Sequence, residues 1–280
     1  MKLIIHGGFF SESSTSSTTK LAKQESLKQI LTKCYVFLEN HSALETVVLA
    51  VEMLENDPLF NAGIGSQIQN DGKIRMSASI MDGETKKFSG VINIQDVENP
   101  VRIAEKLMEF DDRVLGADGA LDFAREYKFA EFNPEIPQRR EEYEAKVAAL
   151  GLGTVGCVAL DKNGKIAAST STGGKGFEIP GRISDSATIA GNYANEFCGV
   201  SCTGVGEDIV SGAVAAKIGI RVSDGFTIEK AFEKTFNELK PFDGFAGAIA
   251  IDNKGNMYHQ DSHPSMFYGS FNGKDFDIFD

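Results

Sequence analysis

Three consecutive stretches decide the fold of this chain: TVGCVALD at residues 154–161, KNG at 162–164 and KIAASTST at 165–172. The first and third mix β-branched residues with small and apolar ones, and such runs favour β-strands. The Asn-Gly pair between them is typical of a tight hairpin turn. The pattern therefore predicts two paired strands, with Thr154 as the first residue of a core strand.

The residues before Thr154 have a different character. Gly151-Leu152-Gly153 can bend more than other residues, and the charged stretch QRREEYEAK precedes it at 138–146, so we expect a mobile linker that leads into a rigid strand. Cleavage before Thr154 would place a hydroxyl nucleophile beside an α-amine with an ordinary pKa of about 7.7 to 8.0. Such an amine can act as general base for the threonine. Taken alone, however, the Gly-Thr pair favours a threonine that only starts a strand.

Other periodic segments predict a mixed α+β layered domain. Apolar residues recur at helical spacing over 20–38 and 44–54, whereas 73–81 and 88–94 resemble strands. A second hairpin is expected over 247–257, which repeats the pattern of 156–166. The low-complexity stretch 11–19 predicts a surface loop. Further helices are expected in the following ranges: from Pro100 with Asn99 as N-cap, 118–129, 135–150, 207–220 and 227–239.

Composition excludes several classes of function. The formal net charge is −12 and no basic cluster is interleaved with aromatic residues, so neither nucleic acid nor an anionic membrane is an expected partner. No apolar run approaches the length of a membrane span or a signal peptide, which predicts a cytoplasmic protein. The four cysteines (Cys34, Cys157, Cys198 and Cys202) lack metal-site spacing and are expected to be buried thiols.

Six motifs along the chain carry a resemblance to a known family. They are HGG at 6–8, DPLFNAGIG at 57–65, ASIMDG at 78–83, STSTGG at 169–174, PGRISDS at 180–186 and SCTGVGE at 201–207. In this order, and over nearly the whole chain, they resemble the plant-type asparaginases and isoaspartyl peptidases, which are N-terminal nucleophile hydrolases.

That resemblance implies a fold and an activity. The fold would be a four-layer αββα sandwich. Residues 1–280 would form one domain, which cleaves itself into an α subunit (1–153) and a β subunit (154–280). The mature enzyme would hydrolyse the β-amide of L-asparagine and of β-aspartyl dipeptides, releasing L-aspartate without a catalytic cofactor. The resemblance also implies a homodimer of processed protomers.

The expected chemistry centres on Thr154, which would attack an amide carbonyl and form an acyl-enzyme. Gly204 can offer a backbone N–H and Thr203 a hydroxyl to the oxyanion that forms. Residues 201–207 could equally form a plain strand-to-helix turn, and a phosphate cradle ranks last because no P-loop lysine follows. The resemblance assigns Thr172 as the hydrogen-bond partner of Thr154. His6, by contrast, is expected to have a core role.

Substrate recognition is expected at Arg182 and Asp185. A guanidinium can bind an α-carboxylate through two parallel hydrogen bonds, and an aspartate can bind an α-ammonium. The plainer interpretation is an exposed ion pair, worth about 0 to 1 kcal/mol. By resemblance, Gly206 would also contact the ammonium, and Asn61 would support the pocket.

The glycine-containing loop after residue 54 offers a further site. Its bent backbone could direct carbonyl oxygens at a monovalent cation, although the residues alone favour a plain buried turn. The resemblance implies a structural sodium or potassium ion held by backbone carbonyls of Leu54, Glu55, Asp57, Phe60, Ala62 and Ile64.

The chain departs from the family pattern at three places: HGGFF at 6–10, Ser77, and HQDSHPSMFYG at 259–269. These departures leave substrate preference and the rate of maturation open. Two alternatives also remain. A glycosylasparaginase or endopeptidase of the same superfamily would use the same nucleophile, and an unprocessed homologue would act only as a binding scaffold.

Overall fold

A computed structural model describes residues 1–9, 17–145, 153–263 and 265–280, which form a mixed α+β fold of helices and two sheets. The strands are β1 (Lys2–Phe9), β2 (Met76–Asp82), β3 (Phe88–Ile94), β4 (Val114–Gly116), β5 (Val155–Leu160), β6 (Ile166–Thr172), β7 (Asn192–Ala194), β8 (Cys198–Gly204), β9 (Ala246–Asp252), β10 (Met257–Asp261), β11 (Met266–Phe271) and β12 (Phe276–Ile278). The helices are α1 (Ser17–Leu38), α2 (Ala43–Glu55), α3 (Pro100–Leu107), α4 (Ala117–Glu126), α5 (Pro137–Glu144), α6 (Gly206–Gly212), α7 (Val214–Ser223) and α8 (Ile228–Asn237).

The predicted hairpin over 154–172 is confirmed and lies inside the larger sheet. Among the described residues this sheet has the order β12-β11-β1-β5-β6-β2-β3-β4. β5 and β6 pair antiparallel with Cys157 opposite Ser169, and the Asp161 carboxylate accepts hydrogen bonds from the backbone N–H groups of the turn. β5 begins at Val155, one residue later than predicted. Thr154 therefore stands at the entry to a central strand.

The smaller sheet has the order β10-β9-β8-β7 within the described chain and contains the second predicted hairpin, β9–β10. Apolar side chains of the two sheets meet in one buried cluster, which includes Ile4 and Val158 from the larger sheet and Ile249 and Ile251 from the smaller one. The absence of a side chain at Gly199 of β8 allows close approach, because a Cβ there would lie 2.7 Å from Val158 Cγ1. The two sheets thus pack face to face.

Helices cover the outer side of each sheet. Leu31 of α1 and Val47 and Leu54 of α2 are buried in the core of the larger sheet. Ile218 of α7 and Phe232 of α8 are buried against the smaller sheet. Burying apolar helix faces on sheets in this way is the main stabilising contribution expected for a layered domain.

Several element boundaries differ from prediction. Ser17–Thr19 already belong to α1, and 11–16 lie outside the described residues, as do 146–152 with Gly151 and Leu152. The helix predicted over 207–220 is wrong as a single helix. Ala213 has a left-handed backbone (φ 47°) and separates α6 from α7.

The other differences are smaller. Asn99 occupies the N-cap position of α3, but its side chain makes no capping bond and instead donates to Asn56 Oδ1 at 2.8 Å. All four cysteines are free and buried, as predicted. Within the described ranges, no helix is both long and apolar enough to cross a membrane.

Candidate active site

Thr154 is held at the start of β5 with only 6% of its surface exposed. Its hydroxyl donates to Thr172 Oγ1 at 3.4 Å, so the partner predicted for Thr154 is indeed its neighbour. Its backbone carbonyl lies 2.9 Å from His6 Nδ1 of β1. The residue is therefore fixed by both its side chain and its main chain.

His6 belongs to a buried hydrogen-bond network that sequence reasoning missed. His6 is fully buried, which matches the predicted core role, and its Nε2 lies 2.9 Å from Ser201 Oγ of β8. Because Nδ1 faces a carbonyl, Nδ1 carries the proton and Nε2 accepts from Ser201. Burial lowers the pKa of His6 to about 3, so the ring is neutral. Ser201 also contacts Thr170 at 2.6 Å, which ties the network to β6.

Asn61 organises the turn that follows β6. The side-chain Nδ2 of Asn61 donates to the backbone carbonyl of Gly174 at 2.5 Å. The backbone carbonyl of Asn61 accepts from the N–H of Gly173 at 2.9 Å. The N–H of Gly174 in turn donates to Thr172 Oγ1 at 3.2 Å. A Cβ at Gly153 would lie 2.7 Å from Asn61 Cβ. The structure therefore brings Gly153 and Asn61 to the same place as the two threonines.

Thr203 and Gly204 end β8 with features suited to an oxyanion site. Thr203 Oγ1 is buried and has no hydrogen-bond partner among the described residues. Gly204 has φ 134°, and a Cβ there would lie 2.6 Å from the carbonyl oxygen of Phe245, so glycine is required. Alternate residues of a strand share a face. Thr203 therefore points to the same side as Ser201, the side that faces His6.

A second group of predicted residues meets at Gly206. A Cβ on this glycine would lie 3.0 Å from both Arg182 Nη2 and Asp185 Oδ1. Asp185 is 2% exposed, and its Oδ2 lacks a partner among the described residues. Burial raises the pKa of Asp185 to about 7, although Arg182 opposes the shift. A buried carboxyl with one oxygen that lacks a partner is suited to a cationic ligand group.

Glu207 is a residue of this group that the sequence analysis missed. Arg182 donates to both of its carboxylate oxygens, from Nε at 2.6 Å and from Nη2 at 2.7 Å. The ion pair of Arg182 is thus formed with Glu207 and not with Asp185. Nη1 makes no hydrogen bond with the described residues, and together with the second N–H of Nη2 it is able to bind a carboxylate. The acidic residue directly after Gly206 was the signal that could have predicted this pair.

The two groups are connected through one segment. Residues 201–207 carry Ser201, which contacts the His6 network, then Thr203 and Gly204, and finally Gly206 and Glu207. Among the described residues no hydrogen bond joins Arg182 or Asp185 directly to Thr154. The strand β8 and the first turn of α6 therefore set the spacing between nucleophile and recognition residues.

The backbone of the loop after α2, where the cation site was predicted, is closely packed. Cβ atoms at Gly63 and Gly65 would lie 2.2 Å from Glu55 O and 1.8 Å from Phe60 O. The carbonyls of Asp57 and Ala62 each accept one N–H, from Phe60 and Gly65, which leaves each a second lone pair.

The side chain of Glu55 is buried under this loop. Its Oε1 accepts from Ser171 Oγ at 2.6 Å and from the N–H of Val101, whereas Oε2 has no partner in the described chain. Burial raises the pKa of Glu55 to about 8. No cluster of His, Cys, Asp or Glu able to hold a metal occurs in the described ranges.

Two departures from the family pattern meet beside the oxyanion segment. Phe9 of the HGGFF stretch packs edge-to-face on Phe245 at 4.7 Å, and His263 of the C-terminal stretch stacks on the same ring at 4.5 Å. The carbonyl of Phe245 accepts from the N–H of Val205 at 3.0 Å. Ser77, the third departure, accepts from the N–H of Asn93 at 3.1 Å and so supports the β2–β3 pairing.

Comparison with known proteins identifies the family. The family model described as asparaginase matches residues 1–279. An isoaspartyl peptidase/L-asparaginase of Synechocystis sp. is 47% identical over 276 residues, covering 91% of this chain and 83% of the relative. An isoaspartyl peptidase of Salmonella typhimurium is 36% identical, covering 91% and 90%. A probable isoaspartyl peptidase/L-asparaginase 2 of Arabidopsis thaliana is 33% identical, covering 95% and 94%. The chain therefore belongs to the asparaginase family.

Proposed function

We propose that this protein is an amidohydrolase that cleaves itself before Thr154 and then hydrolyses the β-amide of L-asparagine and of β-aspartyl dipeptides. The observation that carries the proposal is the placement of Thr154. Its hydroxyl is buried beside Thr172 at the end of a glycine-containing segment. Relatives named isoaspartyl peptidase and L-asparaginase support the substrate class.

The proposed fold is the four-layer αββα sandwich of N-terminal nucleophile hydrolases. Two sheets that pack face to face, with helices on the outer side of each, support it. We further propose that residues 1–280 form one domain and that maturation divides it into 1–153 and 154–280.

Self-cleavage would begin with attack of the Thr154 hydroxyl on the carbonyl of Gly153, giving an ester that water hydrolyses. His6 holds the carbonyl of Thr154, and so orients this residue while the bond before it breaks. The product exposes the α-amine of Thr154, which then serves as general base for its own hydroxyl.

In the hydrolytic reaction Thr154 Oγ1 would attack the side-chain amide carbon of the substrate and form a β-aspartyl ester, while the C–N bond breaks and ammonia, or the amine of the second residue of a dipeptide, leaves with the proton from the hydroxyl. Thr203 Oγ1, which is buried and has no hydrogen-bond partner among the described residues, and the N–H of Gly204 would stabilise the oxyanion. Removal of one such donor typically costs about 3 to 4 kcal/mol in the transition state. Water then releases L-aspartate. Thr172 lies within hydrogen-bond distance of the nucleophile and keeps its hydroxyl oriented.

Recognition of the aspartyl part would divide between two side chains. The Nη1–Nη2 edge of Arg182 would bind the α-carboxylate, and Asp185 with the backbone of Gly206 would bind the α-ammonium. The closeness of Gly206 to both side chains, each 3.0 Å from where its Cβ would lie, supports this division. Asn61 would support the pocket through the Gly173–Gly174 turn.

A structural sodium or potassium ion would be held by the backbone carbonyls of Leu54, Glu55, Asp57, Phe60, Ala62 and Ile64, where it would rigidify the loop that carries Asn61. The reaction itself needs no cofactor. We also propose a homodimer of processed protomers, by resemblance to the family. Light scattering of the processed protein at the mass of one protomer would contradict the dimer.

The activity is tested by incubating purified protein and measuring ammonia from L-asparagine and aspartate from a β-aspartyl dipeptide. We expect both products from the wild type and neither from Thr154→Ala. Thr172→Ala should fold and lose most of its activity. A wild-type protein that stays a single band near 30.3 kDa and releases neither product would support the binding-scaffold alternative instead.

A further inference from the structure

Glu178 is a buried acidic side chain to which the proposed mechanism assigns no role. It is 4% exposed and lies in the loop between β6 and Arg182. Its Oε1 receives one long hydrogen bond, from Gln69 Nε2 at 3.4 Å. Its Oε2 is buried and has no hydrogen-bond partner among the described residues. A carboxylate in this state costs free energy unless a cationic group pairs with it.

Three basic side chains of the described chain, Arg182, Arg75 and Lys175, have their hydrogen bonds or ion pairs with groups other than Glu178. Arg182, which interacts electrostatically with Glu178, is bound by Glu207 through two hydrogen bonds. Arg75 donates to Gln69 and to Asp71. Lys175 has its ammonium 4.0 Å from Glu207 and a half-exposed side chain. Among the described residues, none of these three basic groups forms a hydrogen bond or an ion pair with Glu178, and its Oε2 has no cationic partner there.

The carboxylate lies close to the nucleophile. A Cβ on Gly174 would be 1.9 Å from Glu178 Oε1, which places the carboxylate against the backbone of this glycine. The N–H of Gly174 donates to Thr172 Oγ1 at 3.2 Å, and Thr172 is the neighbour of Thr154. Through these contacts Glu178 Oε1 lies within about 12 Å of the attacking oxygen, given standard backbone dimensions.

The charge of this carboxylate indicates which part of a substrate it can bind. The aspartyl part is assigned to Arg182, Asp185 and Gly206, and its α-carboxylate would be repelled by Glu178. The leaving group continues beyond the scissile amide, and a lysine or arginine side chain there extends roughly 6 Å from its Cα. Such a side chain can reach the carboxylate and supply the missing positive charge.

We propose that Glu178 forms a subsite for a cationic side chain on the leaving group, so that β-aspartyl-lysine and β-aspartyl-arginine peptides are preferred substrates. The inference rests on the proposed function, and it adds a specificity-determining residue to it. A charge-assisted hydrogen bond in a water-excluded position is strong enough to change relative rates by tenfold or more.

The test compares three dipeptides and L-asparagine on the matured enzyme: β-aspartyl-lysine, the uncharged β-aspartyl-norleucine and the acidic β-aspartyl-glutamate. We expect wild-type kcat/KM to be at least tenfold higher for the lysine peptide than for the norleucine peptide, and lowest for the glutamate peptide. Glu178→Gln keeps the shape and removes the charge. It should abolish the lysine preference and leave the rates on norleucine peptide and asparagine within about twofold.

Matched controls separate this subsite from general effects. Glu84→Gln removes an exposed carboxylate that pairs with Lys165 at the β5–β6 turn, and it should leave every ratio unchanged. Glu178→Asp retains the charge and should keep part of the lysine preference, which preserves the test if Glu178→Gln does not mature.

Two results would overturn the proposal: equal wild-type rates on the lysine and norleucine peptides, or the same lysine preference in Glu178→Gln. A carboxylate that binds only an inorganic cation would give the first of these. Failure of the wild type to hydrolyse any of the four substrates would instead refute the proposed function.

Discussion

Arg182 and Glu207 form a two-bonded ion pair, with Nε–Oε1 and Nη2–Oε2 distances of 2.6 and 2.7 Å. Hydrogen bonding from Arg182 lowers the pKa of Glu207 to about 2, so the pair is ionised at all working pH values. The glutamate fixes the Nε–Nη2 edge of the guanidinium beside Gly206, where a Cβ would lie 3.0 Å from Nη2. Glu207 is therefore a positioning residue for the proposed carboxylate site.

Glu207→Gln should raise KM for L-asparagine by about threefold to tenfold and change kcat little. The variant keeps one acceptor for Arg182 but loses the charge, and half-exposed ion pairs contribute only about 0 to 1 kcal/mol or slightly more. Steady-state kinetics on the matured enzyme measure both parameters. A variant with lowered kcat and unchanged KM would show that Glu207 acts on the chemical step instead.

Arg182→Lys should lower kcat/KM for a β-aspartyl dipeptide by roughly tenfold to a hundredfold, because lysine keeps the charge but cannot make two parallel hydrogen bonds. A substrate with its α-carboxylate amidated serves as control, since it should lose little more in the variant. Self-cleavage should continue, because the precursor presents no free carboxylate at Gly153. If the variant lowered kcat/KM equally on both substrates, Arg182 would have only a structural role as an ion-pair residue.

Binding of the product L-aspartate should weaken as the pH falls below about 7. Burial raises the pKa of Asp185 from its ordinary value of 3.8 to about 7, so the carboxyl is protonated below this pH and cannot attract an ammonium. The loss should approach about tenfold per pH unit. Titration calorimetry of the matured enzyme between pH 5.5 and pH 8 measures it. Asp185→Asn should bind weakly and show a flat profile over the same range.

Glu55→Gln should stabilise the protein at high pH. The folded-state pKa of Glu55 is raised from 4.5 to about 8, so the folded protein holds this proton more tightly than the unfolded chain. Stability is consequently lost as the pH rises through that window. Glutamine resembles the protonated acid, and thermal melts should show Tm unchanged at pH 5 but higher by about 5 °C at pH 9. An equal shift at both pH values would assign the effect to packing.

The residue pattern along the chain predicted those secondary-structure elements that neighbouring residues determine. The two hairpins follow from Asn163-Gly164 and Lys254-Gly255 between apolar runs, and both lie where they were expected. The break at Ala213 was not predicted, because neither glycine nor proline occupies the position that adopts the left-handed backbone.

The contacts of the candidate site are likewise of two kinds: local contacts, which the sequence predicts, and tertiary contacts, which it does not. Thr154 directly precedes β5 and Thr172 ends β6, the two strands of one hairpin, so their contact follows from local pairing. The network of His6, Ser201 and Thr170 joins residues up to 195 positions apart, and no local pattern encodes such a contact. The burial of Asp185, Glu55 and Glu178 likewise depends on tertiary packing, since acidic residues are ordinarily exposed.

The central claim is that Thr154 is made into an N-terminal nucleophile by cleavage of the bond after Gly153. The most direct test is N-terminal sequencing of the smaller fragment after purified protein has been incubated, with Thr154→Ala treated in parallel. The account predicts a fragment that begins Thr-Val-Gly-Cys from the wild type and an uncleaved chain from the variant. A fragment with any other first residue, or a Thr154→Ala protein that still cleaves and releases ammonia from asparagine, would contradict it.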